Sequence, residues 1–327
     1  MNATPSSQNF LQAIRKQVGY AKYVLLDGGH REVRYKWRLD SLNRWAGNLL
    51  DQLASEGVLS PIETPVESEI ELHMLCGRSH LTMGIWSLWS FLRWADGKMT
   101  PVIHSDGSLT SVEVLRFRQF FPQVRFIFPE DEERWVEQKF AGSEFQALRD
   151  FRSHFFWSKV FGFHMSEQAK VVMSLDSDIL FFDRPTEVIE RCAIAHESLA
   201  LTSFSDEFDW LPVLAPVEEL NARCATRIES RLNSGLVIMP KFGDEQFQFL
   251  ERMLRAYKPE WRTHYFAEQT LMALMAGEFG WHELPPSYQM GGETNSAEAM
   301  AIHYVSNQAV RPRYFSDGLP RLVGRRP

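Results

Sequence analysis

The rhythm of apolar and polar positions changes near residue 70. Upstream, residues 1–66 carry apolar side chains at helical spacing, over 10–14 and 39–53, with few strand-like runs, and the proline-bearing segment 60–65 reads as a linker. Downstream, short apolar runs alternate with helical segments, the pattern of an α/β sheet with crossovers. It predicts strands over 70–76, 101–104, 124–128, 171–175, 199–204, 236–239 and 301–305, and helices over 81–95, 111–121, 144–161, 245–257 and 268–276. The implied organisation is a helical extension and linker over 1–66, an α/β unit over 67–310 and a C-terminal tail over 311–327.

A chain of 327 residues, 44% apolar and 24% charged, can bury a sizeable core without a disulfide or metal staple, and its composition excludes a rod, a collagen-like repeat or a long disordered tail. The net charge of −7 supplies no positive field for a polyanion, so nucleic acid is not an expected partner and any anionic ligand must be held locally. Cys76, Cys192 and Cys224 form no CxxC pair, which argues against a disulfide framework or a zinc ribbon and for a reducing compartment. The first residues lack the basic and apolar parts of a signal peptide, and the apolar run 81–94 is too short to span a bilayer. A soluble, cytoplasmic protein without a transmembrane segment is expected. The ten tryptophans are mostly core, since Trp86, Trp89 and Trp94 fall largely in one apolar helix.

Ligands of an open α/β sheet bind beyond the carboxyl ends of the strands. Among the segments following the expected strands, only Asp176-Ser177-Asp178 presents two carboxylates, flanked by the apolar runs 171–175 and 179–182. A bend between two buried runs projects both acids into one cavity, where hard oxygens suit Mg²⁺ or Mn²⁺ on a diphosphate. The bland alternative is a pair of aspartates capping a turn. Three further segments bear on the choice: Asn233-Ser234-Gly235 in a polar turn entering a buried strand, Glu268-Gln269 opening an apolar helix, and His303 inside a late strand.

This order, Asp-x-Asp, Asn-x-Gly, acid-Gln on a helix and a C-terminal histidine, resembles the nucleotide-sugar glycosyltransferases of the GT-A fold, most of all the retaining, glycogenin-like family 8, over roughly residues 70–310. The resemblance implies a GT-A, Rossmann-like mixed sheet flanked by helices, a hexosyltransferase-type activity, Mn²⁺ or Mg²⁺ as cofactor, a nucleotide-sugar donor with UDP-sugars favoured, and a carbohydrate or other hydroxyl acceptor. It implies that Asp176, Asp178 and His303 ligate the cation and that Lys159 contacts the donor. Asn233 would lie beside donor or acceptor sugar, and Gln269 near the reacting anomeric carbon, with Glu268 where the family commonly has aspartate.

The family's glycine and lysine, three and six residues after its histidine, are replaced here by Ser306 and Ala309, and Arg311 and Arg313 are the candidates for the missing phosphate clamp. Cys76, Gly77 and Arg78 follow the first strand without the acidic and aromatic residues that usually hold uracil, and Ser177, Asp106 and Gly107 complete the candidate donor contacts. Each has an ordinary reading beside the functional one: His303 as a hydrogen-bonded core residue, Lys159 as a solvated helix residue, Gln269 as a helix start, Asp106-Gly107 as a turn, and the arginines as a solvated pair. Residues 204–210, mixing acids and rings, form the candidate acceptor-facing segment. No carboxylate is singled out as a covalent nucleophile; Glu268, Asp206 and Asp209 are the candidates. Two other readings are a sugar nucleotidyltransferase, disfavoured because Gly77 stands alone where a glycine-rich phosphate loop would be, and a non-catalytic nucleotide-sugar-binding protein.

Overall fold

The computed structural model describes residues 30–206, 213–292 and 296–324. The long helix α1 (His30–Ser55) is followed by β1 (Ile70–Cys76), α2 (Leu81–Leu92), β2 (Thr100–Ser105), α3 (Ser111–Phe120), β3 (Arg125–Ile127) and α4 (Pro129–Lys139). The short helices α5 (Gln146–Phe151) and α6 (Trp157–Val160) lead into β4 (Val171–Leu175), β5 (Ile179–Phe181), α7 (Thr186–Ile194) and β6 (Leu201–Ser205). Then come α8 (Val217–Cys224), β7 (Leu232–Pro240), α9 (Asp244–Ala256), α10 (Ala267–Phe279), β8 (Trp281–Glu283), β9 (Tyr288–Met290), β10 (Ala301–His303), α11 (Arg311–Arg313) and α12 (Leu319–Leu322).

Seven strands make one mixed sheet in the order β3-β2-β1-β4-β7-β6-β8, and β5-β10-β9 make a second, smaller one. β3, β2, β1 and β4 run parallel, as their crossover connections require, whereas β7 is antiparallel to both β4 and β6. Alternation along the strands supplies two cores. On one face, Leu72, Met74, Met173 and Leu175 pack with α2 and α3; on the other, Val172, Val237 and Met239 pack with α9 and α10.

Under β1 and β2 the second face is polar instead. Glu71, His73 and His104 are completely buried. His73 Nε2 lies 3.1 Å from Glu71 Oε2, His73 Nδ1 lies 2.9 Å from His104 Nε2, and His104 Nδ1 meets Glu132 of α4. Glu132 in turn accepts from Ser158 Oγ at 2.9 Å, and Phe163 covers both imidazoles. Burial holds the His73 imidazole down at about 4, while for Glu71 the burial penalty is outweighed by His73, Ser166 and Arg125, which bring its carboxyl to about 2.

Several expectations are redrawn. The helix expected over 144–161 is broken between α5 and α6, where His154 Nδ1 accepts the Phe156 N–H (3.2 Å). The strand expected over 236–239 begins at Leu232, which places Asn233 and Gly235 within a fully buried strand rather than in a preceding turn. The strand expected over 301–305 ends at His303 and joins the small sheet. Ala46, Leu50 and Leu53 of α1 belong to the same core as α2, and so do Tyr314, Phe315 and Leu319.

Candidate active site at the junction of two sheets

Asp176-Ser177-Asp178 is the turn by which the chain leaves the main sheet at β4 and enters the small sheet at β5. Asp176 N–H donates to Gly235 O of β7 (2.7 Å), and Tyr304 N–H donates to Asp178 O (2.8 Å), so both ends of the turn are pinned by neighbouring strands. Antiparallel pairing sets His303 opposite Ile179, one residue from Asp178. His303 Nε2 consequently lies 3.1 Å from Asp178 Oδ1 and 3.9 Å from Asp176 Oδ2.

The side chains of Asp176, Asp178 and His303 each offer a ligand atom within 4.8 Å of the others. Two carboxylates and one imidazole fit a divalent cation of intermediate hardness. The tautomer fits as well. Asn233 Nδ2 donates to Asp206 Oδ1 (2.9 Å), so its Oδ1 is the atom that accepts the Gly235 N–H (2.9 Å) and also faces His303 Nδ1 (3.0 Å). His303 Nδ1 therefore carries a hydrogen, and Nε2 is the nitrogen aimed at the two acids. Gly235 makes this packing feasible, because a Cβ there would come within 2.2 Å of the imidazole Cε1.

Burial alone would favour a neutral Asp178, but Arg311, with Nη2 at 2.6 Å from Oδ2, and His303 hold its carboxyl well below the usual range. Burial likewise opposes the charge on His303, and Asp178 outweighs it and raises the imidazole pKa. Lys159 is only 5% exposed, with Nζ 3.0 Å from Asp176 Oδ1 and 3.7 Å from Glu268 Oε1; these acids overcome its burial and hold it cationic. It is a buried link between two carboxylates, not a solvated helix residue.

From Glu268 the polar chain turns back. Glu268 Oε2 accepts from Ser234 Oγ (3.0 Å), Gln269 Nε2 donates to Asp206 Oδ2 (3.0 Å), and Asp206 closes onto Asn233. Burial pushes Glu268 up to about 7, against Lys159, and Asp206 up to about 6, against Asn233, His303 and Gln269. The β6–β7 register shifts at Ser203/Phe204, and this irregularity lies beside Asn233 and Ser234, as bulges often do where side chains must be re-aimed.

The remaining sequence candidates fall at different distances from this group. Gly77 and Asp106 lie together at the ends of β1 and β2, with the Asp106 carboxylate over the Gly77 Cα; a Cβ there would come within 1.9 Å of it. Ser108 N–H and Oγ hold that carboxylate, and Gly107, at φ +90°, is part of the turn. Ser177 is buried in the Asp-x-Asp turn. The Cys76 side chain points into the core toward Gly84, leaving only its backbone at the edge, and the exposed Arg78 pairs with Glu113 (3.1 Å). Arg313 is separated from Arg311: it pairs with Asp317 (2.6 Å) and Gly292 O, away from the acids. Phe204 is completely buried, and 207–212, including Asp209, lie outside the described residues. Sequence reasoning missed Ser234, the hydroxyl link between Glu268 and Gln269, and His80, whose electrostatic neighbours include Arg311, Asp178, Asp176 and Asp106. Ser234 had a signal, its place inside Asn-x-Gly; His80 had none.

The mixed sheet flanked by helices, with an acidic turn at its junction with a second small sheet, is a GT-A, Rossmann-like α/β fold. The fold is similar to that of the bifunctional glycosyltransferase WbbM, at a TM-score of 0.54 and 14% identity over 78% of this chain, which spans half the length of WbbM. Mouse xyloside xylosyltransferase 1 aligns at a TM-score of 0.49 and 13% identity, covering 76% of this chain and 99% of its own. The galactosyltransferase LgtC, solved with donor and acceptor sugar analogs, aligns at 0.42 and 12%, covering 78% and 95%. No known family profile and no curated protein sequence matches the chain. No helix among the described residues is long and apolar enough to cross a membrane.

Proposed function

We propose that this protein is a metal-dependent glycosyltransferase that moves a sugar from a nucleoside-diphosphate donor to a hydroxyl acceptor. The observation that carries the reading is the Asp176, Asp178 and His303 group, with Nε2 of the imidazole directed at the acids by Asn233. Asp176, Asp178 and His303 would hold the cation, which supplies positive charge where the departing diphosphate becomes negative. An imidazole beside two carboxylates favours Mn²⁺ over Mg²⁺.

Transfer breaks the bond between the anomeric carbon and the diphosphate oxygen and forms one from that carbon to the acceptor oxygen. The bonding pair leaves with the nucleoside diphosphate, which also takes the acceptor's proton. Arg311, already at the rim of the acid group, is assigned to the diphosphate. Lys159 fixes Asp176 and balances Glu268. Asp206, oriented by the amides of Asn233 and Gln269, is assigned to the face of the anomeric carbon that becomes cationic, with Gln269 beside it. Gly77 and Asp106 are assigned to the nucleoside. A UDP-sugar donor and retention of configuration, as in family 8, complete the proposal, and three buried free cysteines support work in a reducing compartment such as the cytoplasm.

The test is calorimetry and turnover across a donor panel. Wild-type protein should bind a nucleoside diphosphate only with Mn²⁺ present and should transfer or slowly hydrolyse one donor. Asp178→Asn should lower both metal-dependent binding and turnover by roughly a hundredfold or more. Metal-independent nucleotide binding, unchanged in that variant, would refute the assignment.

A further inference from the structure

The polar ring described above leaves unused a group of aromatic side chains at its edge. Phe155 and Tyr265 are 55% and 51% exposed, although rings of this size are ordinarily covered. With Phe156 they form one patch: ring centres lie 4.1 Å apart for Phe155 and Phe156, 6.0 Å for Phe155 and Tyr265, and 5.7 Å for Phe156 and Tyr265.

The patch is built, not incidental. Buried His154 stacks on Phe151 at 4.9 Å, accepts the Phe156 N–H at Nδ1 (3.2 Å) and, with the opposite tautomer thereby fixed, donates from Nε2 to His264 O (3.0 Å). One side chain thus locks the turn that carries Phe155 and Phe156 to the loop that carries Tyr265. The Tyr265 hydroxyl is itself held at 3.2 Å by Ser306 Oγ, three residues beyond His303. The patch is also continuous with the site. Lys159 Nζ, between Asp176 and Glu268, lies 5.5 Å from the Phe156 ring centre, and α10, with Glu268 and Gln269, begins two residues after Tyr265.

We propose that Phe155, Phe156 and Tyr265 form the acceptor subsite, and that its occupant is a pyranose ring of a carbohydrate acceptor. A pyranose has an apolar C–H face and a rim of hydroxyls; the patch offers apolar ring faces bordered by the Tyr265 and Ser306 hydroxyls, beside the group that activates the donor. This inference rests on the glycosyltransferase reading of the acid group, and its test separates the two.

Phe155→Ala, Tyr265→Ala and the pair would be compared with wild type in Mn²⁺-dependent donor hydrolysis, in transfer to a panel of neutral oligosaccharides, and in direct oligosaccharide binding to metal-free protein by saturation-transfer NMR. Donor hydrolysis should stay within about twofold, while each single change should raise the acceptor KM roughly tenfold and the pair should abolish saturation transfer. Tyr265→Phe, which keeps the ring, should retain most of the binding. Acceptor KM and saturation transfer unchanged in the double variant would overturn the subsite, and so would a wild-type patch that binds no oligosaccharide but holds a second copy of the chain, seen as a dimer lost in Phe155→Ala. Absence of donor hydrolysis and transfer in wild type would instead count against the acid group, with the NMR arm still deciding the patch.

Discussion

Glu268 is enclosed by Ser234 on one oxygen and Lys159 on the other, and its carboxyl is raised by burial from 4.5 to about 7. Its folded pKa exceeds its unfolded one, so between those values the native state keeps a proton that the unfolded chain has lost. Stability from this group is full below the unfolded pKa and declines as pH rises through the folded one. Asp206, raised to about 6, adds a slope of the same sign. Glu268→Gln should therefore flatten the loss of stability between about pH 5 and about pH 8 by on the order of 2 kcal/mol, read from urea denaturation at several pH values. An unchanged pH profile would mean that Lys159 holds Glu268 ionised throughout. Of these residues the Asp-x-Asp pair was the most legible in sequence, because two apolar runs around two acids describe a turn with both carboxylates on one side. Lys159 was not, since nothing local distinguishes a lysine that bridges two buried acids from one in water.

At the level of elements, the strand β10 pairs with β5, and the imidazole of His303 lies where a side chain on Gly235 of β7 would be. Gly235→Ala should push the ring off its bond to Asn233 and lower Mn²⁺ affinity about tenfold to a hundredfold, measurable by electron paramagnetic resonance of free Mn²⁺. Wild-type affinity in that variant would show that His303 is not a ligand. Most long elements could be read from hydrophobic period alone: α2, α3, α9 and α10 begin and end close to their expected positions. The small sheet could not. Its strands are three residues each, and β5 is far along the chain from β9 and β10, so their pairing is a tertiary fact with no local period. Helix α4 was missed for another reason: its sequence is dominated by acids, and only Glu132 and Val136 are buried, with Trp135 half-buried against the core beside them.

For the molecule as a whole, the last described residues matter more than a tail would. Arg311 ties the segment to Asp178, Tyr314 donates to Met83 O (2.9 Å), and Tyr314, Phe315 and Leu319 sit in the core with α2. A chain ending at Val310 should lose several kcal/mol, comparable to a small domain's whole stability, and should unfold without a cooperative transition in thermal melts. A sharp melt near the wild-type temperature would show that the α/β unit is complete without this segment. The division of the sequence at 66 and 310 rests on composition, and Leu50 before it and Tyr314 after it pack into the same core.

The chain from Glu71 through His73 and His104 to Glu132 contains three side-chain contacts of hydrogen-bonding length. Each contact places one hydrogen between its heavy atoms, so each group is committed to its neighbours as donor or acceptor. Arg125 completes the set by pairing with the Glu71 carboxylate. Any replacement at one of these positions changes the hydrogen count or strands a lone pair in a dry interior. Drift at these sites is therefore confined to concerted replacement, and a relative that differs at one should differ at its neighbours too.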